Sequence, residues 1–286
     1  MITEFGLSQW TETPDSSAQS SMIDALENGH VLLFKSLPFQ LEPHEKKFLT
    51  PEIINTPKRK NISYNLNNKD MKGCENPAVA QMMDRFSNSA SQLINNLFPH
   101  YKNHIKTGRT SYRPVEIATR APLSGSKDDR LLHVDAFPAT PVAGKRILRV
   151  FSNIHPNHGT RDWRLGKSFA EAMEKFIPQI SKPLPGIRTL KKLFKITRGY
   201  QTLYDYYMLN LHNTMKADEN YQRKYPDIYA LPSQSTWIVF TDAAPHAAMG
   251  GQFLLEQTFY LPPENMAFPE RSPLKRLEKF LNTPLV

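Results

Sequence analysis

Five short runs after residue 110 most constrain the fold: Ser111 to Thr119, Leu131 to Asp135, Arg146 to Ile154, Thr236 to Thr241 and Gln252 to Leu261. Each carries β-branched, aromatic or aliphatic residues and is bounded by Pro, Gly, Asn or Asp, which reads as a strand between turns. Short strands without a βαβ rhythm predict an antiparallel sandwich or barrel. A helical insert at about 166–230 interrupts them. Gly166 to Phe176 reads as one helix, and Leu184 to Lys216 contains at least one more, with Leu203, Tyr207, Leu211 and Met215 on one face. Upstream, residues 11–21 read as loop, Met22 to Asn28 as a short helix ended by Gly29, and His30 to Phe34 as a strand. Ala78 to Phe98 has the i, i+3, i+4 spacing of a core-facing helix. One domain spanning 1–286 is expected, with core strands at about 110–262.

An apolar fraction of 40% supports a hydrophobic core, and 22% charged residues argue against global disorder. The net charge of +9 favours acidic partners: nucleic acid, an anionic membrane surface or a phosphorylated substrate. Single-stranded nucleic acid calls for aromatic platforms among basic residues. The one tyrosine cluster, Tyr200, Tyr204, Tyr206 and Tyr207, is spaced for helix packing, so no nucleic-acid partner is expected. The single cysteine, Cys74, excludes an intrachain disulfide and a thiolate zinc site. Met1 to Asp15 has no basic region followed by an apolar run, and no apolar stretch is long enough to cross a bilayer. A cytoplasmic protein is therefore expected, peripheral on the inner face of the inner membrane. Lys191-Lys192-Leu193-Phe194-Lys195 and Lys275 to Leu281 combine basic and apolar residues at helical spacing. Singly each reads as a surface helix; as a pair they read as contact with an anionic membrane.

His133-Val134-Asp135 is the sharpest chemical feature. On a strand, residues i and i+2 point to the same face, so an imidazole and a carboxylate stand side by side. A second imidazole from a distant strand completes a 2-His-1-carboxylate set that leaves one face of Fe(II) open. His246, after the run Thr236 to Asp242 and before Gly250-Gly251, is the candidate. The motif alone is short, and a hydrogen-bonded His133 with a turn-forming Asp135 is the alternative.

The order of strand, H-x-D, long insert, strand, turn, His and closing strand resembles the double-stranded β-helix of the Fe(II)/2-oxoglutarate oxygenases. The strings His133-Val134-Asp135-Ala136-Phe137-Pro138, Arg146 to Pro156, Arg161-Asp162-Trp163-Arg164-Leu165-Gly166 and Gly250 to Phe259 look more closely like the Kdo hydroxylase family. The likeness covers most of residues 26–262. It implies an α+β, mainly β fold with a jelly-roll, cupin-like core flanked by helices. It also implies Fe(II), with 2-oxoglutarate and O2 as cosubstrates. The implied reaction is hydroxylation of a Kdo sugar of Kdo2-lipid A, an anionic glycolipid, at C3 to give Ko. The oligomeric state stays open.

Many members of that superfamily grip the remote carboxylate of 2-oxoglutarate with a basic residue on the last strand. Glu256-Gln257-Thr258 has none. Another branch takes it from the strand after H-x-D, where Arg149 lies in phase with Asn153. Arg149 and Asn153 are therefore read as the cosubstrate site, with a structural ion pair as the alternative for Arg149. Arg146 is out of phase and is expected to be solvated or on the substrate side. Arg113, Arg120, Arg161 and Arg164 form a second basic group, read as recognition of sugar carboxylate or phosphate, with ordinary surface arginines as the alternative. Three rival functions stay open: the same chemistry on another anionic substrate, a zinc hydrolase using the same ligands, and a non-catalytic β-barrel binding an acidic ligand.

Overall fold

Two packed sheets form where the strand alternation sorts side chains into two faces. The computed structural model describes residues 1–56, 59–121, 125–184, 186 and 192–286. The strands are β1 (Ile2–Glu4), β2 (Val31–Phe34), β3 (Ile62–Asn65), β4 (Asp70–Lys72), β5 (Lys106–Arg113), β6 (Arg146–Asn153), β7 (Arg161–Leu165), β8 (Ile228–Leu231), β9 (Thr236–Phe240), β10 (His246–Gly250) and β11 (Leu254–Leu261). The large sheet runs β1-β2-β9-β6-β11-β5-β3-β4, and the small one β10-β7-β8. Among the described residues, only β1 and β2 pair in parallel. His133 extends the small sheet by an antiparallel bridge to His246. From β5 onward the chain winds between the sheets, which is the double-stranded β-helix expected from the sequence.

Trp237, Val239, Phe151, Trp163, Leu33 and Leu254 fill the space between the sheets. The outer face of the large sheet lies under α1 (Ser16–Glu27) and α2 (Pro77–Leu97). Asn76 caps α2 by accepting from the Ala78 N–H at 3.0 Å. Met82, Phe86 and Leu93 of α2 are fully buried, each stabilising the fold by about 1.5–3 kcal/mol. The insert supplies α3 (Phe169–Phe176), α4 (Leu203–Ala217) and α5 (Glu219–Lys224). Tyr204 and Tyr207 are buried in α4, as packing residues should be, and Tyr206 is half-buried, whereas Tyr200 precedes the helix and is exposed.

Several boundaries differ from the sequence reading, each for a local reason. Helix α1 begins at Ser16 because Asp15 accepts from the Ala18 N–H at 2.8 Å. β5 covers Lys106–Arg113 rather than Ser111 to Thr119, since Pro114 has no N–H to continue the ladder. The C-terminal basic helix, α6 (Pro273–Leu281), packs Leu274 and Leu277 into the core. Its leucines are thus occupied by the protein itself, while Phe280 stays exposed. Lys191 lies outside the described residues, while Leu193, Phe194 and Ile196 are 72%, 70% and 62% exposed. Among the described residues, no helix is long and apolar enough to cross a membrane.

Arg146 corrects another expectation. Being out of phase with Arg149, it points to the outer face of β6, where it is fully buried. Its Nε donates to Asp242 Oδ2 at 2.8 Å, a second N–H reaches Oδ1 at 3.2 Å, and the guanidinium lies 3.8 Å from the Phe240 ring centroid. Removing one partner of such a pair strands the other charge. Asp242→Ala is expected to lower stability by about 3–5 kcal/mol. Urea unfolding of the two chains would test this, and an equal midpoint would show the pair to be dispensable.

Candidate metal centre

Residues 131–135, expected as a strand, make a single bridge at His133 rather than a full ladder, and their alternation still aims the motif. Leu132 and Val134 are fully buried in the main core, so His133 and Asp135 turn the other way. The His133 N–H donates to the His246 carbonyl at 3.0 Å, and the His246 N–H returns to the His133 carbonyl at 2.9 Å. The Asp135 N–H donates to the Thr241 carbonyl at 2.8 Å. On the free edge, the Gln222 amide replaces a neighbouring strand: it accepts from the Leu132 N–H at 2.7 Å and donates to the Leu132 carbonyl at 3.0 Å.

The ring nitrogens are set by backbone carbonyls. His133 Nδ1 lies 2.7 Å from the Leu131 carbonyl, and His246 Nδ1 lies 2.9 Å from the Ala244 carbonyl. A carbonyl only accepts, so Nδ1 carries the hydrogen in both rings and Nε2 keeps its lone pair. One donor atom from each of His133, Asp135 and His246 falls within 4.8 Å of the others. His246 stacks on Trp163 at 5.1 Å, and His133 meets the edge of His212 at 4.8 Å. Burial lowers the basicity of both imidazoles, and for His133 neighbouring positive charge lowers it further. Burial opposes ionisation of Asp135, but Arg149 and the imidazoles outweigh it and hold the carboxyl far below its ordinary range. Two neutral imidazoles and one carboxylate are the protonation state that a divalent cation requires, so the donor set fits a metal ion.

A cavity of about 270 Å³ opens beside these donors. Three guanidiniums line it. Arg149 donates to Glu256 Oε1 at 2.7 Å and places another nitrogen 2.9 Å from Asp135 Oδ2. Arg113 holds the other Glu256 oxygen at 2.8 and 2.9 Å. Arg161 has no carboxylate partner among the described residues. It is 3% exposed, it donates to the Gly251 carbonyl at 2.9 Å, and its Nε is buried without a partner. Gly251 sits at φ +104°, and a Cβ there would come within 2.5 Å of the Thr160 carbonyl; only glycine lets this turn pass so close to Arg161. Burial, with the like charge of Arg113, lowers Arg161 to about 9.

The family model for 3-deoxy-D-manno-oct-2-ulosonic acid (Kdo) hydroxylase matches residues 9–284. The chain belongs to the Kdo hydroxylase family. The Kdo hydroxylase KdoO in complex with cobalt(II), a non-heme Fe(II) alpha-ketoglutarate-dependent dioxygenase, is 45% identical, with TM-score 0.96 over 100% of this chain and 97% of that one. The same enzyme with alpha-ketoglutarate and Fe(III) matches at TM-score 0.95, 45% identity and the same coverage. No curated protein matches the chain.

In this Kdo hydroxylase fold, Arg113, Arg149 and Arg161 gather with His133, Asp135 and His246 around one cavity. Asn153 does not join them. It shares a face with Arg149, but four residues along a strand are about 13 Å. Phe151 and Trp163 pack between, and the Asn153 amide is taken up by the Gly159 and Leu231 carbonyls. Arg120 is also set apart, paired with Asp129 at 3.4 Å. Arg164 points to the opposite face of β7 from Arg161 and donates to Gln222 at 2.9 Å. The sequence reading missed Glu256, Lys216 and His212, all of which line the cavity. The helical pair His212 and Lys216, one turn apart beside a metal motif, was the available signal.

The Glu256 clamp has a pH signature. Burial opposes its ionisation, but Arg113 and Arg149 prevail and lower its pKa. A depressed carboxyl stabilises the fold above its unfolded value of about 4.3, and that contribution is lost as pH falls through the folded value. The metal-free chain is therefore expected to lose stability on acidification below about pH 4.3. Glu256→Gln is expected to remove about 3 kcal/mol at neutral pH and to flatten the acid loss. An unchanged acid slope in urea unfolding would show that the clamp does not act.

Proposed function

We propose that His133, Asp135 and His246 hold the Fe(II) of a 2-oxoglutarate-dependent dioxygenase that hydroxylates a Kdo sugar. The proposed reaction is at C3, on Kdo2-lipid A, giving Ko, and residues 1–286 act as one catalytic domain. The carrying observation is the pair of Nδ1–carbonyl contacts, which leave two Nε2 lone pairs and the Asp135 carboxylate as donors at one point. When bound, Fe(II) and 2-oxoglutarate supply the oxidising power: O2 is consumed, 2-oxoglutarate is split to succinate and CO2, and one oxygen atom goes to the sugar carbon.

The chain's own residues bind and orient. Arg161 is assigned to the remote carboxylate of 2-oxoglutarate, because it is cationic, buried and short of an anion. Arg149, already held by Glu256 and Asp135, orients the Asp135 carboxylate instead. Phe151, Trp163 and Ala248 form the apolar wall that excludes water. Five basic side chains line the cavity (Arg113, Lys127, Arg149, Arg161 and Lys216) against three carboxylates (Asp129, Asp135 and Glu256), an excess of two positive charges. Fe(II) adds two and 2-oxoglutarate removes two, so two remain to favour an anionic sugar. Leu193, Phe194 and Ile196, flanked by Lys192 and Lys195, are offered for peripheral contact with an anionic membrane on the cytoplasmic side.

Succinate formation with Fe(II), 2-oxoglutarate and Kdo2-lipid A, together with a one-oxygen mass gain, tests the reaction. His246→Ala is expected to fold, to lose hydroxylation and to lose the visible band of anaerobic Fe(II) with 2-oxoglutarate; a retained band would refute the ligand set. Arg161→Gln is expected to fold and to weaken 2-oxoglutarate about a hundredfold in a titration of that band. Unchanged affinity would remove Arg161 from the cosubstrate site.

A further inference from the structure

A second cavity, of about 520 Å³, adjoins the metal cavity and shares Arg113, Phe137, Pro138, Arg149 and Glu256 with it. Its floor is the inner face of β3, β5 and β11. Across β2 and β9 that face is apolar, with Val31, Leu33, Trp237 and Val239. Here it carries Ser63, Asn65, Arg109, Ser111, Thr258 and Tyr260. The outer face of the same strands shows the ordinary pattern, with Ile62, Tyr64, Tyr112 and Leu255 buried under α2. A polar inner face forgoes a packed apolar layer and matches a polar occupant. Tyr260 crosses the floor over Gly108, where a Cβ would come within 2.9 Å of its ring. The roof is the loop 137–140 that follows Asp135, tied to the insert by the Arg198 N–H, which donates to the Ala139 carbonyl at 2.9 Å. The Arg198 side chain is exposed at this rim.

We propose that this groove is a second subsite, binding the part of an anionic oligosaccharide that lies beyond the sugar being hydroxylated. The inference rests on the metal-site reading above and extends it outward. Hydroxyl and amide side chains match sugar hydroxyls, an aromatic face matches the C–H side of a pyranose, and Arg198 meets a further anionic group. The groove is larger than the metal cavity, as a substrate of more than one sugar demands. The anionic group comes from a second acidic sugar or from a lipid phosphate.

Arg198→Ala, Arg198→Glu and Tyr260→Ala, loaded with Fe(II) and 2-oxoglutarate, would be assayed on Kdo2-lipid A and on the methyl glycoside of Kdo. The ratio of kcat/KM for glycolipid over glycoside is expected to fall about tenfold for each alanine variant and further for the charge reversal. Affinity for 2-oxoglutarate should stay within about twofold. An Arg198 penalty that vanishes on dephosphorylated glycolipid identifies the phosphate, and one that vanishes on a glycolipid with a single Kdo identifies the second sugar; either supports the subsite. A ratio unchanged in all three folded variants overturns it, as does a matching loss of 2-oxoglutarate affinity. Wild-type chain that hydroxylates neither compound would instead sink the metal-site reading itself.

Discussion

Two reciprocal backbone hydrogen bonds between His133 and His246 hold together what the chain separates by more than a hundred residues. They put the H-x-D motif and the first residue of β10 in register, so that strand alternation turns both imidazoles toward one point. Each ring is then fixed by a carbonyl of its own local backbone, not by a distant side chain. The donors are therefore as rigid as the sheet that carries them. Rigid first contacts matter because the placement of ligating atoms, more than their identity, separates a working centre from a loose one. Gln222 completes the arrangement by pairing with both backbone groups of Leu132, where no strand does so among the described residues.

Around this point the fold gathers charge at a density a core would not tolerate. Glu256 lies between Arg113 and Arg149, and Arg149 also reaches Asp135. This chain of contacts links the last strand to the metal motif, and each buried charge in it has a partner. Arg161 breaks the pattern, which makes it informative. Buried unpaired cations are rare because desolvation disfavours them, and they concentrate where a ligand brings the missing charge.

Much of this was legible in the sequence. Most of the strand runs, the helical insert and the three candidate ligands were visible, because period-two alternation and the i, i+2 spacing of H-x-D are local properties. The family strings then gave the chemistry. What failed was distance along an element and across the fold. Phase alone grouped Asn153 with Arg149, but phase says nothing of the 13 Å or so of strand between them. Phase did separate Arg146 from Arg149 correctly, yet it could not disclose that Asp242 waits on the other face. The proposed choice of Arg161 over Arg149 rests on Arg149 already having a carboxylate, and that pairing depends on Glu256, over a hundred residues from Arg149. The strand at 161–165 was missed because its buried face opens on a charge, Arg161, leaving only Trp163 and Leu165 to show the alternation.

The interior of the sandwich is divided, and the division explains why one fold can hold both a stable core and a charged site. At one end Phe151, Trp163 and Trp237 pack ring to ring, with centroids 5.2 to 5.7 Å apart. This plug supplies apolar burial and closes the barrel behind His246, whose ring stacks directly on Trp163. At the other end the same sheet face turns polar and open. Because α1 and α2 bury the outer face of the large sheet independently, the fold does not need that half of its interior for stability. A β-helix packed on one side only by its own second sheet would have no such freedom. The outer helices release the inner face for binding, and the aromatic plug fixes where binding stops.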